Sequence, residues 1–210
     1  MRRKKVSKSI LFLTILSSVF VISGCTAEKK PQVTENTLME DTGDNLDEEL
    51  LEEAGANVKD LGIFSVQDIE GNNYTQDMFA DYDLTMVNVF TTWCSPCVNE
   101  IPDLEKLKNE MSDLGVNVIG IVLDSVDSYG NVNQDTIEKA KLLAETTGVT
   151  YPFLIPDTGY LNGRLAGIEA VPETFFVDRK GDIVGDTYSG SRTFEDWKSI
   201  VEAELKGVLE

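Results

Sequence analysis

Two of the chain's three cysteines, Cys94 and Cys97, stand three positions apart in "TTWCSPCVNEIP", residues 91–102. A pair so spaced could form a structural bridge, half of a metal site, or a working redox couple. A structural zinc site takes four ligands, usually Cys or His. The chain has no histidine, and the third cysteine, Cys25, closes a leader-like segment. No metal is therefore expected, and Ser-His and Cys-His catalysis are excluded. A purely structural disulfide here would close a loop of only a few residues, where loop-closure stabilisation is smallest. The redox couple suits the placement better. The pair follows an apolar strand pattern and opens a helical one, where unpaired backbone N–H groups and the positive end of the helix dipole favour a thiolate. Cys94 is expected to be the exposed, attacking thiol. Cys97, a turn further in, is expected to resolve the mixed disulfide. Such chemistry calls for no cofactor.

Several elements must hold this pair. "LTMVNVF" is an apolar, β-branched run suited to a central buried strand. "SPCVNEIPDLEKLKNEM" continues as a helix with Ile101, Leu104 and Met111 at helical spacing. Pro96 suits its first turn, and Pro102 predicts a kink. Ahead of them, "IFSVQDIEGNNY" reads as a strand, a turn at Gly71–Asn72 and a short return. After them come a second buried strand, "VNVIGIVL", and a helix, "QDTIEKAKLLAETTG", stopped by Gly148. "YPFLIPD" reads as a short strand and "YLNGRLAG" as a short helix. "ETFFVDRKGDIVGDTY" is a hairpin turning at "DRKGD". "TFEDWKSIVEAEL" closes the chain as a helix capped by Thr193, with Trp197, Ile200, Val201 and Leu205 facing the core. The order predicts an α/β fold whose parallel sheet core gains an antiparallel hairpin at one side.

The fold is expected over residues 58–210. Residues 1–24 read as a secretory leader, with the basic "MRRKK" and the apolar "ILFLTILSSVFVI". The run is short for a membrane span. "VISGC" looks like the lipobox of bacterial lipoproteins, in which the chain is cut before the cysteine and lipid is attached to its sulfur. Otherwise Cys25 would be an odd, unpaired thiol in a secreted chain. Residues 25–57 read as an acidic tether, with ten acids against two lysines. Removing the five basic residues of 1–24 leaves 13 basic against 37 acidic residues, a net charge of −24. Such a surface is repelled by nucleic acid and favours a monomer.

"VNVFTTWCSPCVNEIPDL" resembles the active-site segment of the TlpA/ResA family of extracytoplasmic thiol–disulfide oxidoreductases. The resemblance covers the whole domain and implies a thioredoxin-like fold, a mixed central sheet flanked by helices, with the TlpA-type strand–helix insertion. It is carried by the lipobox, W-C-x-x-C, C-x-x-E-x-P and V-P-x-T-F together. It implies that Pro172 of "VPETF" is a cis-proline lying against the cysteines, and that Val171 pairs with a bound substrate strand. The alternative is a trans proline opening an edge strand. Trp93 would pack beside Cys94, serve as a core aromatic, or do both. Glu100 lies three residues after Cys97, on the same helix side. Asn88 takes the place of the buried aspartate of ordinary thioredoxins and cannot ionise. The family pattern makes Glu100 the proton relay, against the alternative of a solvated helix-face glutamate. The resemblance further implies disulfide-containing protein substrates, apocytochromes and exported proteins among them. It also implies recharging by a membrane electron donor of the CcdA/DsbD type. A disulfide-forming oxidase and a redox-inactive binding protein remain as other readings.

Overall fold

The computed structural model describes residues 58–210. The leader, Cys25 and the acidic tether fall outside the described residues. Two short strands, β1 (Ser65–Gln67) and β2 (Asn73–Thr75), pair as a hairpin around Gly71. They lead into β3 (Leu84–Phe90), α1 (Ser95–Met111), β4 (Val116–Val122), α2 (Gln134–Thr147), β5 (Phe153–Leu154), β6 (Glu173–Asp178), β7 (Ile183–Ser189) and α3 (Phe194–Leu209). The main sheet runs β5–β4–β3–β6–β7. β3, β4 and β5 are parallel, β6 runs antiparallel to them, and β7 runs antiparallel to β6 and so in the direction of β3. This is a thioredoxin-like arrangement, and β3 is its middle strand, as its unbroken burial requires.

The two-residue period of the strands sorts the core into two layers. Leu84, Met86 and Phe90 of β3 join Ile101, Leu104, Trp197 and Val201 of the helices, while Val87 and Val89 join Leu61, Phe79 and Phe175 on the other face. Asn88 stands between Met86 and Phe90 on the helix side, a buried polar residue in an apolar row. Its register partner on β4 is Gly120. A Cβ at Gly120 would meet the Phe153 ring at 2.8 Å and that of Phe90 at 3.1 Å, so only glycine lets these rings close over the strand.

α1 passes through Pro102 without interruption. α2 ends at Gly148, whose φ of 71° gives the left-handed cap. Thr193 caps α3 by accepting a hydrogen bond from the Asp196 N–H. Trp197, Val201 and Leu205 are buried, with Ile200 packed against them.

One expected element is replaced. "YLNGRLAG" forms a run of turns, not a helix, and Tyr160, Leu161 and Asn162 have φ of 49°, 51° and 59°. That left-handed path costs L-residues about 1–2 kcal/mol each. Local partners offset it. Asp157 accepts the Leu161 N–H at 2.9 Å, the Asn162 side chain donates to the Asp60 carbonyl at 3.1 Å, and Leu161 is buried.

Candidate redox site

β3 ends at Phe90, and four residues later the chain enters α1. Asp124, just after the neighbouring β4, accepts the Thr92 N–H at 3.0 Å and the Thr92 hydroxyl at 2.7 Å. It thereby ties the turn carrying the cysteines to the next strand. Cys94 is the N-cap of α1, with the Cys97 N–H 3.3 Å from its sulfur. Cys94 and Cys97 are joined as a disulfide, with Cα atoms 5.3 Å apart. The expected order of access holds in direction but not in degree. Cys97 is fully enclosed, and Cys94 keeps only 6% of its surface.

The loop ahead of β6 closes over the pair. The Val171–Pro172 peptide is cis, and the Val171 carbonyl oxygen lies 3.6 Å from Cys94 Sγ. The Gly190 N–H holds the Pro172 carbonyl at 2.8 Å. Trp93 is 73% exposed, which rules out a core role. The large aromatic ring beside Cys94 faces outward.

Glu100 is not a solvated helix-face residue. It retains 3% of its surface and shares the buried side of α1 with Cys97. Three N–H groups meet its carboxylate. Asn88 Nδ2 donates to Oε1 at 3.0 Å; the Arg192 backbone N–H and Trp197 Nε1 donate to Oε2 at 3.1 and 3.2 Å. Burial pushes the Glu100 carboxyl above its ordinary range, against the opposing pull of these donors and of the Arg192 charge. A cleft of about 460 Å³ lined by Pro96, Asn99, Asp103, Arg192 and Asp196 reaches Glu100 from outside.

Helical spacing places Trp197 in the core but gives it no polar task, and nothing in the sequence singles out Arg192. The signal for Trp197 was available, because a buried indole N–H needs an acceptor. The backbone N–H of Arg192 left no such trace. A further buried cluster has no sign in the sequence. Arg164, 7% exposed, donates to Glu173 Oε1 at 2.9 Å and to Thr187 Oγ1 at 3.3 Å, and stacks 4.1 Å from the Phe175 ring centroid. Glu173 directly follows Pro172, so this pair fixes the loop at the cysteines.

Residues 55–185 match the AhpC/TSA family. The chain belongs to that family. It is 30% identical over 128 residues to the thiol:disulfide interchange protein DsbE of Haemophilus influenzae, covering 61% of this chain and 62% of that protein. It therefore spans less than two thirds of that relative. It is 26% identical over 140 residues to the thiol-disulfide oxidoreductase ResA of Geobacillus thermodenitrificans, covering 67% and 73% of the two chains. A thiol:disulfide interchange protein from Chlorobium tepidum has the same fold, with a TM-score of 0.57 and 24% identity over 70% of this chain and 96% of that one. The relatives' names agree with the ResA-type resemblance of the cysteine segment.

Proposed function

We propose that this AhpC/TSA-family chain is a thiol–disulfide oxidoreductase that reduces disulfides in exported proteins or apocytochromes through Cys94 and Cys97. The observation that carries the reading is the Cys94–Cys97 disulfide at the start of α1, with Cys94 Sγ beside the Val171 carbonyl. In the reduced protein the Cys94 thiolate attacks a substrate disulfide. A Cys94–substrate bond forms and one substrate thiolate leaves. Cys97 then gives its proton to Glu100 and attacks Cys94 Sγ. The Cys94–Cys97 bond forms, the second substrate thiolate leaves, and two electrons have passed to the substrate. Val171 and Pro172 present the backbone edge to the substrate strand, and Trp93 offers an exposed ring next to it. Glu100 raises the thiols' proton affinity when charged, which favours a reductant over an oxidant.

The protein acts outside the cytoplasm, held to the membrane by lipid on Cys25 and recharged by a membrane donor of the CcdA/DsbD type. Supporting this are the leader and lipobox of the sequence; none of the described helices is long and apolar enough to cross a membrane. Cys25→Ala should release the protein from membranes while its disulfide chemistry persists.

The attack order is tested by trapping. Cys97→Ser should accumulate a mixed disulfide with an oxidised substrate through Cys94, because nothing remains to resolve it. Cys94→Ser should accumulate none. Trapping by Cys94→Ser alone would reverse the assigned roles, and trapping by neither would remove the redox function.

A further inference from the structure

Asn88 lies on β3, 1% exposed, opposite Thr174 of β6. Its Nδ2 donates at 3.0 Å to Glu100 Oε1 and at 3.0 Å to Thr174 Oγ1. Its Oδ1 is buried with no partner. An unpartnered buried amide oxygen is costly, and an apolar residue of similar shape would avoid that cost. The arrangement makes chemical sense if the amide serves two states of its neighbour.

We infer that Asn88 is a positioning residue that turns its amide over as Glu100 gains and loses its proton. The inference rests on Glu100 as the acceptor of the Cys97 proton. Glu100 Oε2 already faces two donors that cannot become acceptors, the Trp197 indole and the Arg192 backbone N–H. Oε1 faces only the Asn88 amide, so the proton goes there. An Oε1–H directed at Nδ2 would set donor against donor. Turning the amide places Oδ1 where Nδ2 was and carries Nδ2 to the position where Oδ1 had no partner, so one end of the amide is unpartnered in each state. Oδ1 then accepts from Glu100 Oε1–H and from the Thr174 hydroxyl, which acts as acceptor in one state and donor in the other. One proton moves, from Cys97 Sγ to Glu100 Oε1, and the amide changes no charge. An aspartate at 88 would put a second carboxylate beside the first, and a leucine would leave Oε1 without a partner in either state.

The other titratable and charged groups around Glu100 are Cys97 on α1, Tyr151 ahead of β5, Arg192 ahead of α3, and Asp103 and Asp196 along the cleft. In the oxidised protein Cys97 does not titrate, and Glu100 is the buried carboxyl of this set.

The test is solution NMR of the full chain in its oxidised form. Above the midpoint of the Glu100 side-chain carboxyl carbon, the Asn88 amide protons should show a nuclear Overhauser contact to the Thr174 methyl. Below the same midpoint that contact should be lost, and in Glu100→Gln it should not vary with pH. Asn88→Leu provides a second reading. An amide that supports both protonation states should change the proton affinity of Glu100 by less than about threefold when removed. One that only donates to the carboxylate should change it by more than about tenfold. A contact that persists through the titration, or a shift above tenfold, overturns the inference. Failure of Glu100 as proton acceptor is a separate result: an amide that turns as described, with single-turnover resolution unchanged in Glu100→Gln.

Discussion

The indole N–H of Trp197 donates to Glu100 Oε2 at 3.2 Å, joining the C-terminal helix to the helix that carries the cysteines across 97 positions of sequence. Trp197 is fully buried and packs edge-on against Tyr188, ring centroids 6.0 Å apart. The last helix therefore does more than cover the sheet. It helps set the charge of a carboxyl one turn from Cys97.

An indole can only donate, and it donates more strongly to an ionised carboxyl than to the carbonyl oxygen of a protonated one. Trp197→Phe should raise the proton affinity of Glu100 by roughly tenfold or more, the effect of losing one hydrogen bond to a charged group. Carboxyl carbon chemical shifts against pH give the value directly. A variant that melts earlier with an unmoved Glu100 midpoint would make the contact structural only.

The raised proton affinity of Glu100 is also a statement about stability. The folded state keeps a proton that the unfolded chain has released. Stability should be fully present below the ordinary glutamate range and fall as pH climbs through the raised folded-state midpoint. The slope should reach at most about 1.4 kcal/mol per pH unit, and stability should level off above that midpoint. Glu100→Gln should abolish this slope. Urea unfolding of the oxidised protein across the window measures it, and parallel curves for the two proteins would contradict the burial argument.

Much of this was legible in the sequence because it was local. "LTMVNVF" is apolar at every position but two and became the middle strand. C-x-x-C fell at a strand-to-helix junction, and Thr193 and Gly148 mark helix ends by chemistry that needs no distant partner. The rest is set by long-range contacts. Spacing alone puts Glu100 on the Cys97 side of the helix, but its donors Asn88, Arg192 and Trp197 come from other elements and have no local sign in the sequence. Of the two readings of Trp93, beside Cys94 or in the core, its 73% exposure removes the core one. "YLNGRLAG" has helical spacing, but Asp157 and the burial of Leu161 draw it into the left-handed path.

The Arg164–Glu173 pair gives a prediction independent of Glu100. Both side chains are largely enclosed, 8% and 15% exposed. Arg164→Met would leave a carboxylate without its partner next to Pro172. Removing one member of a buried pair costs about 3–5 kcal/mol. Adding Glu173→Gln should recover part of that loss, because the stranded charge is gone. Denaturant midpoints of the single and double variants form the test, and a single-variant loss under about 1 kcal/mol would show that the pair does not secure the loop.

The central claim is that Cys94 and Cys97 form a reducing two-electron couple. Equilibration of the full chain with dithiol–disulfide buffers of known potential, read by thiol alkylation, tests it directly. The account predicts a single transition of the pair, lost in either cysteine-to-serine variant, at a potential of about −200 mV or lower. A potential near −120 mV would mark a disulfide-forming oxidant and contradict the proposed direction. A pair that never exchanges with the buffer would contradict the redox function itself.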